Sequence, residues 1–129
     1  RCTVKLRAPL ATARGLGSAK EGTHHFWNQR LTAIVLVPMT LWIMVSLVRM
    51  TNVDYATVTQ WIAAPLNAVL LLIFLLALFY HALLGVQVVI EDYIHSEWQK
   101  IACLILVKFT ILLTGLTSVL AVIKVFLGL

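Results

Sequence analysis

The chain has 129 residues, of which 61% are hydrophobic and only 12% are charged, and its net charge is +5. Soluble domains carry a charge on about a quarter of their residues, so this composition excludes an ordinary soluble domain and indicates one that is surrounded partly by lipid. The length corresponds to a single domain.

The first 22 residues form a basic tail. Six positive residues precede the first apolar run, and these are Arg1, Lys5, Arg7, Arg14, Lys20 and Arg30. Such a patch can bind nucleic acid, but beside a membrane-spanning segment it is explained by the preference of positive residues for the cytoplasmic or matrix side. We therefore expect residues 1–22 to lie on the inner side of a membrane, and we expect no nucleic-acid partner.

Three apolar runs follow the tail, and each has about the 20 residues that a helix needs to cross a bilayer. They predict an all-α membrane-anchor domain over residues 23–129 with transmembrane helices at about 26–49, 65–91 and 97–127. With the positive tail inside, three crossings place the N-terminus inside and the C-terminus outside.

Two shorter signals lie between these runs. The connection between the first and second spans has room for a short interfacial helix around Tyr55 to Ala63. Ser96, followed three residues later by Gln99, matches a capping box, so we expect the third span to begin there.

The second span contains an isolated histidine, His81, and ends in an acid and a tyrosine, Asp92 and Tyr93. At about 100° per residue, His81, Gly85 and Asp92 lie on one stripe of a helix. A histidine at this depth has two interpretations: it bonds across a helix interface, or it is an axial ligand of a membrane haem. Gly85 leaves room either for a flat group or for a neighbouring helix. Because only one histidine lies at depth, a haem would need its second ligand from another polypeptide.

The start of the first span adds two further candidates, His24 and Arg30. Arg30 is followed at once by apolar residues, so its guanidinium lies close to the hydrocarbon. It can pair with a lipid phosphate, or it can form a bidentate contact with a carboxylate such as a haem propionate.

Taken together, these motifs resemble one known family, the small cytochrome b membrane-anchor subunit of succinate:quinone oxidoreductase, respiratory complex II. The resemblance extends from about Gly22 to Leu129. Its most specific part is the second-span histidine with Asp-Tyr eleven and twelve residues later. The matching residues are His81, Gly85, Asp92 and Tyr93 in the second span, and His24, Phe26, Arg30 and Thr32 to Leu36 at the start of the first.

The resemblance implies a role for each candidate residue. His81 would be one axial ligand of haem b, with the other supplied by a larger cytochrome b subunit, and Gly85 would pack against the haem. Arg30 and His24 would approach the haem propionates. In the quinone site, Tyr93 would donate a hydrogen bond to a ubiquinone carbonyl and Asp92 would order the polar groups and water beside it.

The same resemblance implies an assembly. An iron–sulfur subunit and a flavoprotein subunit would dock on the inner side of a bacterial inner membrane or, alternatively, a mitochondrial inner membrane. The alternative function is a cofactor-free membrane scaffold that anchors soluble partners, because such a protein would have the same three helices and the same positive tail.

Overall fold

The computed structural model describes residues 20–129, so the predicted basic tail lies outside the described residues except for its last three. The elements are α1 (Lys20–Arg49), α2 (Tyr55–Ala63), α3 (Pro65–Tyr93) and α4 (Glu97–Leu127). Within residues 20–129 there is no strand. The prediction of an all-α protein is confirmed.

Three of these helices are long enough to cross a membrane. The helices α1, α3 and α4 contain 30, 29 and 31 residues, and at about 1.5 Å per residue each is roughly 45 Å long. A bilayer's hydrocarbon core is only about 30 Å thick, so the polar ends of each helix can reach the headgroup region. Among the described residues these three helices alone have the length and hydropathy of membrane spans, as the sequence predicted.

The helix α3 lies between α1 and α4 and packs against both, whereas α1 and α4 do not pack together within the described part of the chain. Residues in the first half of α1 contact residues in the second half of α3, and α4 follows α3 after only three residues. Neighbouring spans are therefore antiparallel. The start of α1, the end of α3 and the start of α4 lie at the same end of the bundle, which we call the tail-side end.

Few side chains are buried in this arrangement. Ala68, Leu84 and Ile90 are the buried apolar residues of the described chain, and all three belong to α3. No residue of α4 is buried, although most of that helix is apolar. In a bilayer, lipid or neighbouring subunits cover such surfaces, so the chain has the form of a membrane component rather than of a self-contained globule.

The short helix α2 lies at the opposite end of the bundle, as predicted. Asp54 is its N-cap, and it accepts hydrogen bonds from the Thr57 side chain and from the Thr57 backbone N–H. Both hydrogen bonds lower the pKa of Asp54, and the bond from the Thr57 side chain has the larger effect. Trp61 of α2 stacks on Trp42 of α1 with ring centroids 5.4 Å apart, which ties α2 to the first span.

One helix start and one helix cap differ from expectation. The helix α1 begins at Lys20 rather than near residue 26, because hydropathy marks only the apolar part of a helix and a polar extension is invisible to it. Ser96 is the N-cap of α4, but its side chain makes no capping hydrogen bond. The predicted start is right, and the predicted capping box is wrong because the exposed Ser96 hydroxyl does not bond the α4 backbone.

Candidate functional site

Polar residues in the first half of α1 meet α3 just beyond its midpoint. The Asn28 side-chain amide donates to the Tyr80 hydroxyl at 3.0 Å. Thr32 Oγ1 lies 2.9 Å from His81 Nδ1. Gln29 lies between Asn28 and Thr32 on α1. Its Nε2 is 3.8 Å from the position that a Cβ on Gly85 would occupy. This group of five side chains and one glycine, the α1–α3 polar cluster, is where an otherwise apolar interface becomes polar.

His81 is half-buried in this cluster and uses one ring nitrogen there. Its Nδ1 bonds Thr32, whereas its Nε2 makes no hydrogen bond to the described chain. A histidine that only packs is satisfied by the first bond, and an iron ligand requires the second nitrogen to be available. Among the described residues no three His, Cys, Asp or Glu side chains cluster as a metal site, so an iron at His81 must bring its other ligands with it, as a haem iron does.

Gly85 lies one turn beyond His81 and faces α1. A Cβ at this position would have one neighbour within 4 Å, the end of the Gln29 side chain. The backbone is ordinary helix, because the only positive φ among the described residues is at Gly128. Nothing within residues 20–129 therefore requires glycine here, and its haem-packing role stays a prediction.

The two candidates at the start of α1 are both exposed. The Arg30 guanidinium carbon lies 5.0 Å from the centre of the Phe26 ring, one turn earlier on the same helix. Arg30 is two residues from Thr32, or about 200° around the helix, so it projects from a different side of α1 than the polar cluster. His24 is exposed as well. Contact of either with a haem propionate stays a prediction, and it requires a group bound outside the α1–α3 interface.

Asp92 and Tyr93 are the last residues of α3, and both are exposed, with 79% of Tyr93 accessible. Neither side chain makes a hydrogen bond within the described chain. The antiparallel packing places them at the tail-side end, the same end as His24 and Arg30. The tertiary structure thus brings the two candidate segments to one membrane surface without joining their side chains.

The other face of α3 forms an apolar groove with α4, with a volume of about 480 Å³. Phe79 and Gly115 meet at its base, where a Cβ on Gly115 would lie 3.4 Å from the Phe79 ring. Lys108 and Tyr80 are its polar lining residues. No role was assigned to Lys108 from the sequence.

Sequence reasoning missed four members of the polar cluster: Tyr80 on α3 and three residues of α1, which are Asn28, Gln29 and Thr32. A signal was available, because Asn28 and Thr32 are four residues apart and Gln29 lies between them, so all three fall near one face of a helix. Thr32 was noted only as part of the motif at the start of the first span, with no role of its own.

Comparison with known proteins decides the family. Residues 5–117 match the model of the succinate dehydrogenase/fumarate reductase transmembrane subunit. The chain belongs to this family. The succinate dehydrogenase hydrophobic membrane anchor subunit of Rickettsia bellii is 39% identical over 93% of this chain and 96% of its own. The protein of the same description from Rickettsia conorii is 35% identical over 89% and 92%.

A more distant relative comes from Paracoccus denitrificans. Its succinate dehydrogenase hydrophobic membrane anchor subunit is 29% identical over 78% of each chain. No solved structure matches the chain. The predicted family is therefore confirmed. The protein is part of an enzyme complex, not catalytic alone, and its apolar helices and bacterial relatives fit a multi-pass protein of the bacterial inner membrane.

Proposed function

We propose that this chain is the anchor subunit of a succinate:ubiquinone oxidoreductase that shares a haem b with a partner subunit and forms part of the quinone-reduction site. The observation that carries the proposal is the state of His81: within an apolar span, Nδ1 is held by Thr32 while Nε2 has no partner in the described chain. An imidazole arranged in this way is prepared to bind a metal from outside the chain.

Each residue of the haem proposal has a distinct task. His81 Nε2 would bind the iron, and the larger cytochrome b subunit would supply the second axial ligand. Gly85 presents no side chain one turn away, and the nearest neighbour of a Cβ there would be the end of the Gln29 side chain. If that side chain moved, a flat macrocycle would approach α3 at this point. Arg30 and His24, exposed at the tail-side end, would neutralise the propionates. When bound, the haem supplies one-electron redox chemistry.

Quinone reduction consumes two electrons and two protons and yields the quinol. The electrons from succinate reach the quinone from a flavoprotein subunit through an iron–sulfur subunit, so both partners must dock at the tail-side end. Tyr93 would donate its phenolic hydrogen bond to a quinone carbonyl, since a phenolic O–H is a hydrogen-bond donor. Asp92, next to it at the membrane surface, would conduct protons from water. General acid–base assistance of this kind contributes about 10²- to 10⁴-fold.

The alternative, a cofactor-free scaffold, is favoured by one observation: the His81–Thr32 bond is also what a packing histidine makes. A reduced-minus-oxidised spectrum of the purified complex separates the two functions. We expect a b-type α band that is lost in His81→Ala, while the helix still inserts because the change makes the span more apolar. A complex without the band supports the scaffold, and a band that survives in His81→Ala removes the histidine from the haem site.

The quinone proposal is tested by Tyr93→Phe, which keeps the ring and removes one hydroxyl. Loss of this hydrogen bond at a water-poor site costs about 1–3 kcal/mol, which corresponds to a roughly 5- to 150-fold loss of turnover. We expect this loss in succinate-to-quinone activity but not in succinate oxidation with an artificial acceptor, which bypasses Tyr93. Unchanged quinone turnover excludes Tyr93 from the site, and an equal fall in both activities indicates impaired assembly.

A further inference from the structure

Thr32 makes three contacts that link the backbone of α1 to His81. Its Oγ1 lies 2.8 Å from the carbonyl oxygen of Asn28 and 3.0 Å from that of Gln29. The same oxygen lies 2.9 Å from His81 Nδ1. A hydroxyl has one proton to donate and can accept on its lone pairs, so these contacts cannot all be donated by Thr32.

Two proton arrangements are possible, and they differ in the number of hydrogen bonds. If the Thr32 hydroxyl donates to Nδ1, its contacts with the two carbonyls are not hydrogen bonds, and the histidine proton remains on Nε2. If Nδ1–H donates to Oγ1, the hydroxyl proton is free to donate to a carbonyl of α1. The second arrangement makes two hydrogen bonds where the first makes one, and in a water-poor interior each additional bond is favourable.

The second arrangement determines what His81 can bind. With the proton on Nδ1, the lone pair lies on Nε2, the nitrogen that has no partner in the described chain. The carbonyl-to-hydroxyl-to-imidazole series also increases electron density on the ring, because each donor polarises the next. A ligand of greater basicity stabilises the oxidised form of a bound iron relative to the reduced form.

We infer that Thr32 is a positioning residue for His81: it holds the proton on Nδ1, keeps Nε2 free to bind iron and lowers the reduction potential of that iron. This inference rests on the haem proposal above. It goes further because it assigns a function in the iron site to a residue of α1, a helix that contributes no iron ligand.

The neighbouring contact gives Thr32 a defined partner. The amide of Asn28 donates to the Tyr80 hydroxyl at 3.0 Å. Tyr80 lies one residue before His81 on α3, and Asn28 lies one turn before Thr32 on α1. Two adjacent side-chain bonds therefore hold the register between the two helices, so the Thr32–His81 distance does not depend on one contact alone.

An ordinary explanation for Thr32 must be separated from this one. Threonines in helices often bond the carbonyl one turn earlier without any further role, and Thr110 does so in α4, where its hydroxyl donates to the Leu106 carbonyl at 2.9 Å. Within the described residues the Thr110 hydroxyl makes no hydrogen bond to a histidine, so Thr110→Val is the matched control. It makes the same chemical change at a similar hydroxyl without affecting a ring nitrogen.

The test uses the intact purified complex with four variants of this chain, which are Thr32→Val, Thr32→Ala, Thr32→Ser and Thr110→Val. Haem is measured per flavin, so that only assembled complex is counted, and the midpoint potential is measured by redox titration of the α band. Loss of such an outer bond typically lowers affinity about 10- to 100-fold. We expect Thr32→Val and Thr32→Ala to lose haem or to retain it at a raised potential, and Thr32→Ser and Thr110→Val to match the parent.

The outcomes are distinct. If the parent complex contains haem and both hydroxyl-free variants retain its content and its potential, Thr32 is not a positioning residue and the haem proposal is unaffected. If Thr110→Val shifts the potential as much as Thr32→Val, the effect is general to the helix bundle and the inference is wrong. If the parent complex contains no haem, the haem proposal and this inference are both wrong.

Discussion

Replacing Gly85 by alanine separates the demands of this chain from those of a bound haem. The new Cβ would lie 3.8 Å from Gln29 Nε2, which is ordinary van der Waals contact with the end of a movable side chain. Glycine inside a helix is about 1 kcal/mol less favourable than alanine. Considered alone, the chain should therefore be unchanged or more stable by up to about 1 kcal/mol.

A haem packed against the glycine changes this expectation. An extra methyl group in a well-packed site costs about 1–3 kcal/mol. At about 1.4 kcal/mol per decade this weakens haem binding roughly 5- to 150-fold. The two effects have opposite signs, so one substitution can raise the stability of the apoprotein while it lowers haem content.

The assay is the haem-to-flavin ratio of the purified complex over a range of added haem, together with its thermal midpoint after haem extraction. Gly115→Ala is the matched control. It adds a Cβ 3.4 Å from the Phe79 ring in the α3–α4 groove. Phe79 lies two residues from His81, or about 200° around the helix, so the change should leave haem content unchanged. A parental haem ratio in Gly85→Ala would refute the reasoning, because the glycine would then not pack against a haem.

Two further predictions concern the ends of the bundle. With the N-terminus inside, a cysteine introduced at Asn52 should react with an impermeant reagent from outside and one at Ser96 should not; the reverse labelling would invert the proposed topology. Hydrogen bonds from Thr57 lower the pKa of Asp54 in the folded protein, so the ionised carboxylate of Asp54 stabilises α2. This stabilisation should be complete at pH values above the pKa of Asp54 in the unfolded chain, about 4. It should disappear as the pH falls through the lowered pKa of the folded protein. Hydrogen exchange of α2 amides should report this loss, and Asp54→Asn should show no such pH dependence.

Much of the architecture could be predicted from the chain alone. The three spans follow from apolar runs that are long enough for a bilayer. The physical reason is local, because the preference of each side chain for lipid or water does not depend on any other helix. The short helix α2 and the start of α4 at Ser96 follow from equally local signals. The identity of His81, Asp92 and Tyr93 as candidates came from residue type and spacing within one helix.

Only the tertiary structure decided how these helices meet. A span that is apolar on all sides carries almost no periodic signal of which face packs against a neighbour, so the register between α1 and α3 is not readable from either helix by itself. That register brings Thr32 into hydrogen-bond contact with His81. It also brings Asn28 into hydrogen-bond contact with Tyr80 and places Gln29 beside Gly85. The hydrogen bonding of His81 is therefore a property of two helices, because its Nδ1 lies 2.9 Å from the hydroxyl of a residue forty-nine positions away.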